Sequence, residues 1–210
     1  MSDVVAVIDY GMGNLHSVRH ALAMAGAEDV LVTHDPAEIE RATRIVLPGV
    51  GAFGECVKNL RASGLLETLE HEVRKRGKPM LGICLGMQVL ATSGEELGEH
   101  EGLGWIRGRV KHLDVEGKNL RVPHVGWNEV KVAGTPHPVL RRIKKESTFY
   151  FVHSYALVPD DSQDTIATCD YGGDFTCAVA KDNVVATQFH PEKSQQNGLA
   201  LLEAFLDWKP

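Results

Sequence analysis

The sequence predicts an α/β protein with a mixed, mainly parallel central sheet and a more antiparallel C-terminal half. Three observations carry this reading. Strand-like and helix-like segments alternate up to residue 95, the pattern of βαβ units. The strand-like segments there are nearly continuous apolar runs, as expected of strands covered on both faces. From Trp105 onward the helical period gives way to successive strands with short, turn-like connections.

Val4 to Tyr10 is the first such run and ends in glycines. Leu15 to Ala25 has a helical period in Leu15, Val18, Leu22 and Ala25 and stops at Gly26. Val30 to Thr33 reads as a short strand. Pro36 to Ala42 reads as a helix, with proline in its first turn. Arg44 to Leu47 is a strand that leads into Pro48-Gly49-Val50-Gly51. Phe53 to Leu60 and Leu65 to Lys75 are helical, separated by Ser63-Gly64. Pro79 to Ile83 is a strand that runs into Cys84, and Leu85 to Ala91 resumes the helical pattern. Six strands follow: Trp105 to Leu113, Gly126 to Val132, Thr148 to Leu157, Ile166 to Asp170, Cys177 to Lys181 and Val184 to Phe189. A helix over Gly198 to Trp208, with Leu199, Leu202, Phe205 and Leu206 inward, closes the chain.

With 210 residues and neither repeat nor linker, the chain is expected to form one domain over 1–210. Lys plus Arg is 22 against 28 Asp plus Glu, a formal net charge of −6. A mildly acidic domain speaks against nucleic acid, whose phosphates need a concentrated basic face. The short basic cluster Arg141, Arg142, Lys144 and Lys145 reads as a solvated surface patch. No two of the four cysteines have the C-x-x-C spacing of a structural zinc site, so no metal is expected. No apolar stretch is long enough for a membrane span, and the start, Met1-Ser2-Asp3, lacks a leader pattern. The expected location is a reducing cytoplasm with free cysteines.

Gly82-Ile83-Cys84-Leu85-Gly86 is a G-x-C-x-G turn between a strand and a helix. Such an elbow projects its central side chain above the carboxyl edge of the sheet, where ligands bind in open α/β sheets. A thiol there sits at a helix N-terminus. Helix dipole and a neighbouring imidazolium can bring a thiol pKa from about 8.5 to roughly 3.5–7.5. A free cysteine is otherwise most often a buried packing residue, which is how Cys56, Cys169 and Cys177 read. A thiolate nucleophile needs a histidine, and the histidine needs an orienting acceptor. His190 ends an apolar strand and is followed by Pro191 and Glu192, which keeps imidazole and carboxylate together on a stiffened turn. His153 is the rival base. Leu85 can offer its N–H just after the nucleophile. The glycine-flanked peptides at Pro48 to Gly51 can offer a second donor to an oxyanion, or can simply be a strand-to-helix turn.

These residues resemble the class I, or triad, glutamine amidotransferases. Within that group the chain resembles most the glutaminase subunits of imidazole glycerol phosphate synthases. The likeness rests on G-I-C-L-G with Gln88 and on H-P-E at 190–192. It also rests on I-D-Y-G-M-G-N-L-x-S at 8–17, L-P-G-V-G-A-F at 47–53, P-H-V-G-W-N at 123–128 and F-Y-F-V-H-S-Y at 149–155. It covers essentially the whole chain.

The resemblance implies a flavodoxin-like three-layer fold and no cofactor. It implies Cys84 as nucleophile toward the glutamine carboxamide, His190 as base and acid, and Glu192 as its orienter. It implies backbone donors from Val50, Gly51 and Leu85 to the oxyanion. Gly49, Gln88, Ser154 and Tyr155 would contact the glutamine. Ammonia would pass through a shielded passage to a (β/α)₈ cyclase partner in a heterodimer, and glutamate would be left behind. Tyr10, Asn14, Pro123, His124, Trp127 and Lys193 would face that partner. Three other readings remain open: the glutaminase of another amidotransferase, such as that of pyridoxal phosphate synthesis; a non-enzymatic flavodoxin-like module with a redox-sensitive Cys84; and a thiol peptidase.

Overall fold

A computed structural model describes residues 3–210; Met1 and Ser2, where the expected leader-free start falls, lie outside the described residues. In chain order its strands begin with β1 (Val4–Ile8), β2 (Asp29–Thr33), β3 (Arg44–Gly49) and β4 (Met80–Cys84). Next come β5 (Ser93–Gly94), β6 (His100–Glu101), β7 (Gly108–His112), β8 (His124–Glu129) and β9 (Lys131–Val132). The last are β10 (Thr148–His153), β11 (Tyr155–Pro159), β12 (Thr165–Asp170), β13 (Asp174–Lys181) and β14 (Val184–Thr187). The helices are α1 (Leu15–Met24), α2 (Pro36–Arg41), α3 (Phe53–Ala62), α4 (Leu66–Leu69), α5 (Leu85–Gln88) and α6 (Gln195–Asp207). α4 continues as a π-helical stretch over Glu70–Lys75.

The main sheet has the order β2-β1-β3-β4-β14-β13-β12-β9. Its first five strands are mutually parallel, and the last three join antiparallel. This is the expected mixed sheet with an antiparallel C-terminal part. Its strands are apolar throughout because both faces are covered. On β1, Val5 and Val7 pack on one side with α1 and α6, through Val18, Leu22, Leu201 and Phe205. Ala6 and Ile8 pack on the other side with α2 to α4, through Ile39, Phe53, Leu60 and Leu69. Sheet and helices thus make three layers.

α2 shows how local chemistry sets an element. Asp35 accepts the N–H of Ala37 at 2.9 Å and Pro36 opens the first turn, satisfying the start of a short helix. α6 is fastened from below: buried Arg44 of β3 donates to the carbonyls of Phe205 (3.1 Å) and Trp208 (2.7 Å), the free acceptors at a helix end.

Two expected strands are divided. Gly126 to Val132 becomes β8 and β9, which belong to different sheets, and Thr148 to Leu157 breaks at Ser154 into β10 and β11. β10 pairs with β8 in a two-stranded sheet, while β11 enters a four-stranded sheet, β11-β7-β5-β6. One apolar run serves two partners in each case, and periodicity carries no record of a change of partner. The strand expected from Trp105 shortens to β7, because Trp105 and Ile106 are core residues ahead of it. No helix among the described residues is long and apolar enough to cross a membrane.

Candidate active site

The elbow closes between β4 and α5. Cys84 sits there with φ 55° and ψ −110°, a conformation that costs a non-glycine residue of order 1–3 kcal/mol. Its neighbours have to be glycine. A Cβ on Gly86 would lie 1.9 Å from the carbonyl oxygen of Leu47, and one on Gly82 would lie 2.8 Å from that of Gly86. β3 is in register with β4 so that Gly49 stands opposite Cys84, which brings the Pro48–Gly51 turn beside the thiol. A Cβ on Gly49 would meet the Tyr10 hydroxyl at 2.6 Å.

β14 runs parallel to β4 with Thr187 opposite Ile83, so the chain leaves both strands at the same end of the sheet. That places His190 over the elbow. The Nδ1 of His190 is 2.8 Å from the Oε1 of Glu192, and both side chains are buried. A carboxylate can only accept, so Nδ1 carries the proton and Nε2 is the free nitrogen in the neutral ring. Nε2 is buried without a hydrogen-bond partner, as is the Oε2 of Glu192. Burial alone would lower the His190 pKa. Interaction with Cys84 and with Glu192 outweighs it and raises the value to about 9. Cys84 and Glu192 are thus the two groups that hold the ring in its charged form.

The thiol opens into a cavity of about 260 Å³. Of the expected site residues, Val50, Gly51, Cys84, Leu85, Gln88, Ser154, Tyr155 and His190 line it. Gly49 and Glu192 do not reach the cavity; Glu192 stands behind His190. His153 also lines the cavity, but both its nitrogens are engaged. Nδ1 is 2.9 Å from the carbonyl of Tyr155 and Nε2 is 3.0 Å from Nδ1 of His124. Burial brings its pKa down to about 4. The rival base has no free nitrogen to offer.

Glu96 in the cavity wall went unrecognised in the sequence. Its Oε2 accepts the N–H of Phe53 at 2.7 Å, which ties it to the start of α3. Ser93 to Gly98 has no periodicity and no motif, so no local signal marks this carboxylate.

The residues expected to face a partner divide. Trp127 is exposed and shares its surroundings with exposed Val125 and Val152. Asn14 and Lys193 are half-buried, the latter with Nζ 5.7 Å from the Tyr150 ring centre. Pro123 lines the cavity itself. Tyr10 and His124 depart from the expectation, since both side chains are internal. The Tyr10 hydroxyl donates to the carbonyl of Pro48 at 2.7 Å, and His124 stacks on Phe151 and Tyr171. In the basic cluster, Arg141 and Arg142 pair with Asp207, and Arg142 also with Glu203, so those two charges are spent on α6.

A thiol on a strained elbow, backed by a buried imidazole–carboxylate pair at the carboxyl edge of a parallel sheet, defines a cysteine-dependent amidotransferase of the class-I glutamine type. A family model described as Glutamine amidotransferase class-I matches residues 6–208, and the chain belongs to that family. Its relatives include proteins named "Imidazole glycerol phosphate synthase subunit HisH". The one from Zymomonas mobilis is 49% identical, covering 100% of this chain and 98% of its own. The one from Caulobacter vibrioides is 48% identical, covering 98% and 99%. Among solved structures, PurLQS from Thermotoga maritima superposes with a TM-score of 0.74 over 99% of both chains at 19% identity. A protein described as a glutamine amidotransferase gives 0.70 at 20% identity, covering 96% of this chain and 98% of its own. At these identities the structures show the shared fold.

Proposed function

We propose that this chain is the glutamine-hydrolysing subunit of an imidazole glycerol phosphate synthase. The carrying observation is the site's assembly: Cys84 on its elbow faces His190, which Glu192 holds at 2.8 Å, at the wall of a cavity of about 260 Å³. The full-length likeness to HisH proteins supports the choice of synthase.

In this reading His190 takes the thiol proton at Nε2 and the sulfur attacks the carboxamide carbon of glutamine. The tetrahedral oxyanion is held by the backbone N–H groups of Leu85 and Val50, with Gly51 giving the turn its freedom. His190 returns the proton to the departing nitrogen, and ammonia leaves a glutamyl thioester on Cys84. Water, deprotonated by His190, attacks the thioester; glutamate departs and the thiol is restored. Glu192 keeps Nδ1 protonated and the ring oriented throughout. Gln88, Ser154, Tyr155 and Glu96 supply polar groups for the amino-acid end of glutamine.

Ammonia in bulk water at neutral pH becomes ammonium and loses its nucleophilicity. The reading therefore includes a (β/α)₈ cyclase subunit, heterodimeric with this chain, seated over the cavity mouth. Val50, Val125, Trp127 and Val152 offer the apolar part of that face. The 210 residues act as one glutamine amidotransferase domain. The reducing cytoplasm fits four cysteines that are all free and buried.

Glutamate release from glutamine tests the function in three mixtures: the chain alone, with the cyclase subunit, and with cyclase plus its nucleotide substrate. A large rise in the third is expected. Full activity of the chain alone, indifferent to the cyclase, would assign the same chemistry to a different amidotransferase.

A further inference from the structure

Gln188, one residue beyond β14, is completely buried beside the reacting sulfur. Its Nε2 lies 3.7 Å from the Sγ of Cys84, and its Oε1 lies 3.0 Å from the Nε2 of Gln88. Which end of each amide points where follows from the hydrogen bonds alone. The carbonyl of Tyr155 can only accept, and it faces the Nε2 of Gln88 at 2.8 Å. It is further fixed by His153, whose Nδ1 lies 2.9 Å away. Gln88 must therefore present its amino group inward. That group can be met only by the oxygen of Gln188, which leaves the Gln188 amino group to face the sulfur. A flipped Gln188 would set two donors against each other at Gln88 and an oxygen against the sulfur.

We propose that Gln188 is a further catalytic residue: its side-chain N–H donates to the Cys84 sulfur and stabilises the thiolate, both as attacking group and as leaving group. The proposal rests on Cys84 being the nucleophile. A hydrogen bond to the charged form favours that form, and it is strengthened where water is scarce; Cys84 is nearly buried. His190 supplies the neighbouring positive charge when protonated but must surrender its proton during each half-reaction. Gln188 has no proton to surrender, so its donor stays in place through both. Gln88 and Tyr155, on the cavity wall, hold it in orientation, so the nucleophile and the substrate-facing wall belong to one hydrogen-bonded unit.

The test compares wild type with Gln188→Met, which keeps the bulk without the donor, and Gln188→Glu, which turns an acceptor toward the sulfur. Each is assayed in complex with the cyclase and its nucleotide substrate. Each is also treated with iodoacetamide at pH 7 and at pH 10, with Cys84 followed by mass spectrometry. The thiolate displaces iodide, so the rate reads the thiolate directly. Gln188→Met is expected to slow alkylation at pH 7 at least about tenfold while leaving pH 10 unchanged. Gln188→Glu should slow it further. kcat should fall in the same order with KM little changed. Equal pH 7 to pH 10 ratios in wild type and Gln188→Met would overturn the proposal, because packing alone would not move that ratio. Should Gln188→Met fail to fold, wild-type protein carries the test. Its Gln188 side-chain amide resonances should move with the ionisation of Cys84 and stay still in Cys84→Ala; no movement would overturn the proposal. A wild type that hydrolyses no glutamine would defeat the proposed function while leaving the alkylation ratio able to judge Gln188.

Discussion

In the proposed function Cys84 concentrates the chemistry in one atom, and His190 with Glu192 gives that atom its reactivity. If the thiol forms the covalent intermediate, removing it ends glutamine hydrolysis without touching the step that consumes ammonia. Cys84→Ala is expected to cut glutamate release by about 10⁴-fold or more. Synthesis by the complex from added ammonium salt should stay within about twofold of wild type. Glutamate release at the wild-type rate in that variant would remove Cys84 from the mechanism. The three positions proposed as the triad stand out in the sequence because each carries a local mark. The cysteine lies between glycines at a strand-to-helix turn, and the histidine and carboxylate share a proline-stiffened segment. Glu96 and Gln188 carry no such mark. Their places depend on which loop folds against which strand, and a single polar residue in an unpatterned segment says nothing of that. Tyr10 and His124 were expected at a partner face only through the resemblance, which carries no record of burial; here the tertiary fold supplies Pro48, Phe151 and Tyr171 to cover them.

At the scale of elements, the elbow is a three-way junction of β3, β4 and α5, and Gly86 is its tightest point. The contact that excludes a side chain there is with the backbone of Leu47, which cannot swing aside as a side chain would. Gly86→Ala is therefore expected to cost about 3 kcal/mol or more of stability, the upper end of overpacking effects. A urea unfolding curve measures it; a midpoint equal to wild type would mean the elbow has slack. The element most consequential for the site is β14. Read from sequence it is one more strand of a mixed half. In the structure it is the fifth parallel strand, and that direction is what carries His190 to the same end of the sheet as Cys84. Strand existence was legible from apolar runs, and the start of α2 from Pro36. Strand partnership was not, as the splits at Val130 and Ser154 show, because pairing is settled between segments far apart in the chain.

Over the whole molecule, the buried histidines pull stability in opposite directions with pH. The pKa values of His124 and His153 are pushed down to about 4 by burial, so the folded chain holds both neutral where the unfolded chain, near 6.5, protonates them. Their contribution is present above pH 6.5 and is lost as pH falls toward 4. Burial lowers His137 as well, adding to the same side. His190, raised to about 9, works the other way: its contribution is complete below pH 6.5 and is lost as pH rises through 9. Because Cys84 is among the causes of that shift, the alkaline loss belongs to the thiol–imidazole pair rather than to the ring alone. The acid limb can be isolated. Between pH 5 and 6 ordinary carboxylates are already ionised in both states, so histidines govern the slope. Each buried neutral imidazole adds up to about 1.4 kcal/mol of stability per pH unit there. His124→Phe and His153→Gln both disturb the chain of contacts from Asn128 through His124 and His153 to Tyr155, so both variants should be less stable at every pH. The informative quantity is the slope. Each variant should flatten it by up to about 1.4 kcal/mol per pH unit, as read from urea midpoints at pH 5, 5.5 and 6. Slopes equal to wild type in both variants would mean that these rings are protonated in the folded chain. The bonds to the Tyr155 carbonyl would survive that change, because Nδ1 of His153 donates there in either state; only the His153–His124 contact would lose its acceptor.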